Sequence, residues 1–263
     1  MCNTCGCNVT PGNEHLVAPG GQLATTSHGS ESVEVLEGLL AANDRQAAHN
    51  REHFDRQNVL AINLMSSPGA GKTALLEASI DAMGAGLRIA VIEGDLETEN
   101  DAERIRQKGI PAVQISTGSA CHLDAHMVHS ALHELELDDV DIVFIENVGN
   151  LVCPASFDLG QHLNVALLST PEGHDKPAKY PVMFRSADLV VISKADLLPV
   201  LDDFDPEYAT TCLRQLASTA PVLEVSAKSG AGLSDWLGWV RAALDTVRAR
   251  AADTQPSAVG DSA

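Results

Sequence analysis

The chain has 263 residues, 44% of them hydrophobic and 3% aromatic, which supplies one substantial core of aliphatic side chains. Its 36 acidic residues outnumber 17 basic ones, and the net charge of −19 repels phosphate backbones, which argues against nucleic-acid binding. No apolar run reaches the roughly 20 residues that span a bilayer, and no signal peptide is apparent, so we expect a cytoplasmic protein without membrane insertion.

Three cysteines, Cys2, Cys5 and Cys7, open the chain and precede a polar segment rich in glycine, proline and threonine. A C-x-x-C-x-C stretch can wrap its thiolates around one soft metal ion without a fold. Incidental thiols or a disulfide between Cys2 and Cys5 are the alternatives. We expect a flexible metal-binding tail and linker over residues 1–30, a main domain over residues 31–250 and a disordered tail over residues 251–263.

Apolar residues at helical spacing predict an amphipathic helix from Glu31 to about Gln57. Beyond it, short aliphatic runs typical of buried strands alternate with helical segments. Strands are expected at Val59–Met65, Arg88–Ile92, Ala112–Ile115, Asp141–Ile145, Asn164–Leu168, Leu189–Ile192 and Val222–Val225. Helices are expected at Thr73–Met83, Thr98–Lys108, His122–Leu135, Pro206–Ala217 and Leu233–Arg248. This alternation predicts an α/β fold with a mostly parallel central sheet, helices on both faces, and ligands at the carboxyl ends of the strands.

The first predicted strand leads into a phosphate-loop sequence, Ser66-Ser67-Pro68-Gly69-Ala70-Gly71-Lys72-Thr73, which is followed by an apolar helix. It matches the G-K-[ST] part of the motif, with Ser66 in place of the usual first glycine. Gly69 and Gly71 allow the backbone N–H groups to face phosphate oxygens. In this arrangement Lys72 bridges the β- and γ-phosphates, and Thr73 binds Mg²⁺.

Two further strands end in acidic residues, in the segments Ile92-Glu93-Gly94-Asp95 and Ile145-Glu146-Asn147-Val148-Gly149. Asp95 and Glu146 are candidate Mg²⁺ partners, directly or through water, and Gly149 is free to follow the γ-phosphate. Each carboxylate taken singly could instead be a solvated or capping group. Their shared position beside the phosphate loop favours the magnesium interpretation.

Two later strand ends carry sequences that fit recognition of a base. Ser193-Lys194-Ala195-Asp196 resembles the N-K-x-D motif of GTPases, with Ser193 in place of Asn, and Ser226-Ala227-Lys228 resembles their S-A-K loop. Asp196 can accept hydrogen bonds from the guanine N1–H and exocyclic amine, and the Lys194 stem can lie over the base. This favours GTP over ATP, and two ordinary loops are the alternative.

A second group of metal ligands is formed by Cys121, His122 and Cys153, which we expect on one side of the ligand-binding edge of the sheet. Cys121 and His122 are predicted to start a helix, whose dipole favours a thiolate for Ni²⁺ or Zn²⁺. Three ligands leave the coordination incomplete, and two copies meeting face to face would complete it. The alternative is two packed cysteines and a surface histidine. The other histidines are scattered in the sequence, and Cys212 is expected in the core.

Together these residues resemble the HypB family of nickel-incorporation GTPases, a metal-handling branch of P-loop proteins. The likeness runs from the cysteine tail through Asn43-Asp44 and Arg51 to Ser226-Ala227-Lys228. It is closest in four segments: the phosphate loop, Glu93-Gly94-Asp95-Leu96, Glu146-Asn147-Val148-Gly149-Asn150-Leu151-Val152-Cys153-Pro154 and Glu172-Gly173-His174-Asp175-Lys176-Pro177.

The resemblance implies a P-loop NTPase of the SIMIBI-like GTPase type that couples GTP hydrolysis to nickel delivery into the large subunit of a [NiFe] hydrogenase. It further implies a HypA-type nickel maturation protein as partner, and a GTP-dependent homodimer that shares a metal through Cys121, His122 and Cys153. Slow intrinsic turnover is expected because no catalytic glutamine or arginine finger is apparent in the sequence. An ATP-dependent small-molecule kinase and a nickel storage protein with a vestigial nucleotide domain are the alternatives.

Overall fold

The computed structural model describes residues 30–95, 100–118 and 120–254. Seven strands form one sheet in which every pair of neighbours is parallel. They are β1 (Leu60–Ser66), β2 (Ile89–Asp95), β3 (Ala112–Ser116), β4 (Ile142–Glu146), β5 (Leu163–Ser169), β6 (Leu189–Ser193) and β7 (Val222–Val225). All seven predicted strands are present, and β2 continues three residues beyond its predicted end, so that it includes Glu93 and Asp95.

Helices connect these strands. They are α1 (Ser30–Gln57), α2 (Lys72–Met83), α3 (Asn100–Arg106), α4 (Ala125–Leu132), α5 (Lys176–Lys179), α6 (Pro181–Ser186), α7 (Pro206–Gln215) and α8 (Leu233–Thr254). The short α5 and α6 were not predicted, because they are single turns interrupted at Tyr180 and lack a long apolar period. Helix α8 continues through residues 251–254, which the sequence assigned to the C-terminal tail.

Helices cover both faces of the sheet, as predicted. On β1, Leu60, Ile62 and Leu64 pack in the core cluster that contains α2 and α8, whereas Ala61 packs in the cluster of α1 and α4. A third cluster places α6 and α7 over β5 and β6. All seven residues of β1 are buried, including the polar Asn63 and Ser66, as expected for a central strand that is covered on both faces.

The strand order β3-β2-β4-β1-β5-β6-β7 determines where a ligand can bind. After β1 the chain moves to one side of the sheet to form β2, β3 and β4, and from β5 onward it builds the other side. The carboxyl end of β1 is therefore the point where the connections diverge, and a crevice opens at such a point in parallel α/β sheets. Among the residues described, no helix is both long and apolar enough to cross a membrane.

Trp236 anchors α8 to the sheet and provides a test of this packing. It is fully buried, and its indole N–H donates to Ser79 Oγ on α2 at 2.8 Å. Trp236→Phe should lower the free energy of unfolding by about 1 to 3 kcal/mol through the lost hydrogen bond and lost volume. The matched control Trp239→Phe changes a partly buried neighbour and should cost less than about 1 kcal/mol. Urea unfolding measures the stability of both variants. Equal losses of stability would contradict the anchoring role of Trp236.

Candidate nucleotide and metal site

The phosphate-loop segment, residues 66–73, runs from the last residue of β1 into α2 at the carboxyl edge of the sheet. Gly69 and Gly71 have φ angles of 72° and 97°, in the left-handed region that glycine adopts without steric cost. No described side chain caps the start of α2. The first N–H groups of this helix are therefore available to an anion such as a phosphate.

Lys72, Thr73 and Glu146 form a buried polar cluster at the base of this loop. Lys72 Nζ donates a hydrogen bond to Ser66 Oγ at 3.1 Å and lies 3.8 Å from Glu146 Oε1. The Thr73 hydroxyl donates to the same Glu146 oxygen at 2.9 Å. The serine in place of the first glycine thus contacts the lysine of the motif.

Glu93 also belongs to this cluster, although no motif in the sequence assigns it a role. It lies on β2 opposite Glu146 on β4 and is buried. Burial, followed by repulsion from Glu146, raises the pKa of Glu93 well above its usual value. Burial also raises the pKa of Glu146, but Lys72 opposes that shift. The neutral form is therefore favoured most strongly at Glu93, and Lys72 favours the negative charge on Glu146.

A cavity of about 380 Å³ opens beside these carboxyl groups and the phosphate loop. Asp95, Arg104 and Gly149 also line it. A Cβ atom on Gly149 would lie 2.7 Å from Pro68 Cα, so only glycine allows this close approach. Glu93 Oε1 and Glu146 Oε2 are buried without a hydrogen-bond partner among the described residues. Such oxygens fit a divalent cation, held directly or through water.

A second cavity, of about 320 Å³, adjoins the first on the other side of the phosphate loop. Its wall is mostly apolar and includes Lys194, Asp196, Ala227 and Lys228, which the sequence analysis proposed as base-binding residues. Ser226 is buried behind them, and its hydroxyl donates to Asp196 Oδ1 at 2.7 Å. The arrangement combines an apolar slot for a planar ring with one oriented carboxylate.

The loop after β6 is fastened directly to the phosphate loop. Ser193 Oγ donates to the Ala70 carbonyl oxygen at 2.7 Å, and Lys194 Nζ donates to the Gly69 carbonyl oxygen at 2.7 Å. Ser193, which stands in place of the asparagine of the motif, therefore joins the end of β6 to the phosphate loop through its hydroxyl group.

Cys121, His122 and Cys153 meet at the same edge of the sheet. The two sulfur atoms lie 3.2 Å apart, and one ligand atom from each residue falls within 4.8 Å of the others. His122 is fully buried and stacks on Phe157 with ring centroids 4.0 Å apart. Both of its nitrogens lack a hydrogen-bond partner among the described residues, and burial lowers its pKa to about 4. A neutral imidazole beside two thiols is a donor set for a borderline metal ion.

One expectation about this cluster is wrong. Helix α4 begins at Ala125 and not at His122, because the Asp124 side chain caps it by accepting a hydrogen bond from Met127 N at 2.8 Å. Cys121 and His122 therefore lie in the preceding loop, and the helix dipole does not act directly on the thiol. The surface-histidine alternative for His122 is also excluded by its burial.

The segment from Glu146 to Cys153 connects the first cavity to the Cys-His-Cys group. Asn147 Oδ1 accepts hydrogen bonds from Leu123 N at 3.1 Å and from Val148 N at 3.0 Å. Asn150 Nδ2 donates to the Cys121 carbonyl oxygen at 3.2 Å. Residues adjacent to the cavity thus hold the backbone on both sides of His122.

Comparison with known proteins shows which family the chain belongs to. The family described as CobW/HypB/UreG, nucleotide-binding domain, matches residues 60–224. The hydrogenase maturation factor HypB of Azotobacter chroococcum mcd 1 is 50% identical over 230 residues, covering 84% of this chain and 75% of the relative. The chain belongs to the HypB family of hydrogenase maturation factors.

Solved HypB structures share the fold. The Helicobacter pylori HypB structure, a complex with nickel, has a TM-score of 0.74 and 41% identity over 83% of this chain and 99% of that one. The Archaeoglobus fulgidus HypB structure has a TM-score of 0.73 and 40% identity over 78% of this chain and 100% of that one. The predicted α/β P-loop fold and the predicted family are confirmed. Cys2, Cys5 and Cys7, which the sequence assigned to a metal-binding tail, lie outside the described residues.

The buried carboxyl pair of this HypB family member can be tested by pH. In the nucleotide-free chain, Glu93→Gln should be more stable than the wild type, by a margin that grows as pH rises from 4.5 toward the raised pKa of Glu93. The wild type loses stability over that window because the folded state binds the proton more tightly, by up to about 1.4 kcal/mol per pH unit.

Urea unfolding of both forms between about pH 5 and pH 8 measures the margin. Glu224→Gln, on the exposed side of β7, is the control and should give a difference from wild type that is independent of pH. Parallel stability curves for Glu93→Gln and wild type would contradict the raised pKa of Glu93.

Proposed function

We propose that the chain is a GTP-hydrolysing nickel metallochaperone that helps to insert nickel into the large subunit of a [NiFe] hydrogenase. One observation carries the proposal: a Cys-His-Cys donor set lies at the end of the segment that starts in the phosphate-side cavity. A nucleotide that moves Glu146–Gly149 acts on a metal held by Cys153 through a continuous stretch of backbone.

The second cavity supports guanine as the base. Guanine presents two N–H donors on one edge, and the Asp196 carboxylate, oriented by Ser226, accepts from both. Adenine presents a bare ring nitrogen at the corresponding position, which a carboxylate repels. The apolar wall and the aliphatic stem of Lys194 suit the faces of the ring.

The first cavity supports hydrolysis of the γ-phosphate. Lys72 and the first N–H groups of α2 bind and orient the phosphates and oppose the negative charge that develops on them. Thr73, Asp95 and Glu146 would hold Mg²⁺, which supplies charge neutralisation between the β- and γ-phosphates when it is bound. Arg104 lines the cavity but is paired with Glu77 and Asp101, which favours slow intrinsic hydrolysis.

The thiol and imidazole groups support nickel as cargo, with zinc as a competing ion. Cys121, His122 and Cys153 offer three donors, so a second copy of the chain meeting at this edge would supply the remaining ligands in a homodimer. The tail cysteines Cys2, Cys5 and Cys7 would hold nickel before its transfer. A HypA-type maturation protein is the expected partner, and the cytoplasm is the expected location.

The nucleotide assignment can be tested through Asp196. Asp196→Asn should lower GTP hydrolysis at limiting GTP by about tenfold to a hundredfold and raise use of xanthosine triphosphate, because the new amide donates to the C2 carbonyl of xanthine. Phosphate release with GTP, xanthosine triphosphate and ATP measures the shift. Asp188→Asn, away from both cavities, is the control, and an unchanged nucleotide preference in Asp196→Asn would favour the ATP kinase instead.

The coupling can be tested with nickel binding in a chain whose Cys2, Cys5 and Cys7 are changed to serine. We expect the nickel affinity with GDP to differ by about fivefold or more from that with a slowly hydrolysed GTP analogue. Asn147→Ala, which removes the contact to Leu123, should bring this ratio close to one.

Ser79→Ala is the control, because it removes a buried hydrogen bond, from Trp236 Nε1 to Ser79 Oγ, that does not involve Asn147 or the Cys121–His122 segment. It should keep the wild-type ratio. Cys121→Ala should abolish nickel binding at the Cys-His-Cys group and metal-dependent dimerisation in this background. Equal nickel affinities in the two nucleotide states of the unsubstituted background would favour the storage protein.

A further inference from the structure

Five of the ten histidines come together where α1 packs against α4, although they are scattered in the sequence. They are His49 and His53 on α1, His126 and His129 on α4, and His133, which directly follows α4. Two pairs, His49 with His53 and His129 with His133, have the four-residue spacing that places side chains on one face of a helix. None of these residues belongs to the nucleotide cavities or to the Cys-His-Cys group.

The rings on the two helices are in contact. His129 Nε2 and His133 Nε2 lie 3.2 Å apart, with ring centroids at 4.6 Å. The His49 ring on α1 meets the His129 ring edge to face at 5.0 Å between centroids. The C-terminal end of α4 therefore contributes a close pair of nitrogen atoms, and α1 contributes a third imidazole beside it.

The separation within the pair is the one that a shared metal ion requires. Two imidazole nitrogens bound at about 2.0 to 2.1 Å, with a bond angle between square and tetrahedral, lie about 2.9 to 3.4 Å apart. His49 is exposed, so its ring can rotate to turn a nitrogen toward the pair. The buried His129 Nδ1 has no hydrogen-bond partner among the described residues, so no protein acceptor there fixes its tautomer.

The surroundings keep these imidazoles available as ligands. Burial, followed by repulsion from His133 and His49, lowers the pKa of His129, and burial, followed by Arg56 and His133, lowers that of His53. Neutral imidazole is the form that binds metal. The net charge of −19 raises the local concentration of cations around the chain.

We propose that His49, His129 and His133 form a separate binding site for a divalent transition metal on the α1/α4 surface, with His53 and His126 as adjacent ligands. An all-imidazole site suits Ni²⁺, Zn²⁺ or Cu²⁺ and disfavours Mg²⁺. Helix α4 starts three residues after His122, so one short stretch of chain joins this site to the Cys-His-Cys group. The site does not depend on the function proposed above.

The test uses the full chain with Cys2, Cys5, Cys7, Cys121 and Cys153 changed to serine and the buried Cys212 changed to alanine, so that no thiol is left and histidine is the main ligand for a borderline metal ion. Equilibrium dialysis against micromolar NiCl₂ should retain one ion per chain, and X-ray absorption should detect nitrogen and oxygen ligands without sulfur. His129→Gln/His133→Gln should weaken this binding at least tenfold. His174→Gln, whose ring lies against Tyr208 on α7, is the control and should leave it unchanged.

Retention of no ion by the folded thiol-free chain, or binding only at millimolar nickel, would overturn the proposal. An equal loss in the His174→Gln control would overturn it as well. Circular dichroism reports whether the thiol-free chain folds. If it does not, His129→Gln/His133→Gln is made in the otherwise natural chain, where it should lower bound nickel by one ion per chain, and an unchanged total rejects the site.

Discussion

Lys72 and Glu146 are both buried, and their charged groups lie 3.8 Å apart at the carboxyl edge of the sheet. Burying two charges costs several kcal/mol per ion, which their attraction repays only when other polar groups complete the arrangement. Thr73 and Ser66 supply two of those groups. Glu93 adds a second buried carboxyl group, whose pKa is raised by burial and by Glu146, so that its neutral form is favoured. A site arranged in this way is stabilised further by phosphates opposite Lys72 and by a cation among the carboxyl groups.

The end of β4 also connects the charged pair to the Cys-His-Cys group. Glu146 is the last residue of β4, and the next residue, Asn147, contacts the backbone just after His122. Asn147 Nδ2 also donates to Asn63 on β1 at 3.2 Å, so its side chain is fixed from both sides. Because of these contacts, a displacement of Glu146 and Asn147 would also move the backbone next to His122 or strand β1.

The fold was largely predictable because its signals are local. Seven aliphatic runs separated by helical periods specify a parallel sheet, and the phosphate loop identifies the strand end where ligands collect. The errors concern boundaries. Helix α4 begins later than predicted, because the Asp124 side chain caps it at Ala125. Strand β2 ends later than predicted, because its last residues include the polar Glu93 and Asp95, which resemble loop residues in the sequence.

The site was predictable in part. Lys72, Thr73, Asp95, Glu146 and Asp196 were predicted because their motifs adjoin strand ends, and Cys121, His122 and Cys153 because thiols and imidazoles are uncommon there. The structure places the first five around the two cavities and the other three in one cluster. Glu93 was missed because its significance comes from Glu146, which lies 53 residues away and becomes its neighbour only through the pairing of β2 with β4. The contact of Ser193 could not be predicted either, because its hydroxyl binds the carbonyl oxygen of Ala70, a residue distant in the chain.

The sequence by itself therefore determined the α/β architecture, the family, and the residue types at each strand end, since periodicity and short motifs are properties of contiguous residues. Only the tertiary structure decided which carboxyl group has the more strongly raised pKa, how the loop that carries Cys121 and His122 is attached to the segment after β4, and that histidines from α1 and α4 meet. Each of these depends on distances between residues far apart in the chain, and such distances are fixed by packing and strand register and not by spacing along the sequence.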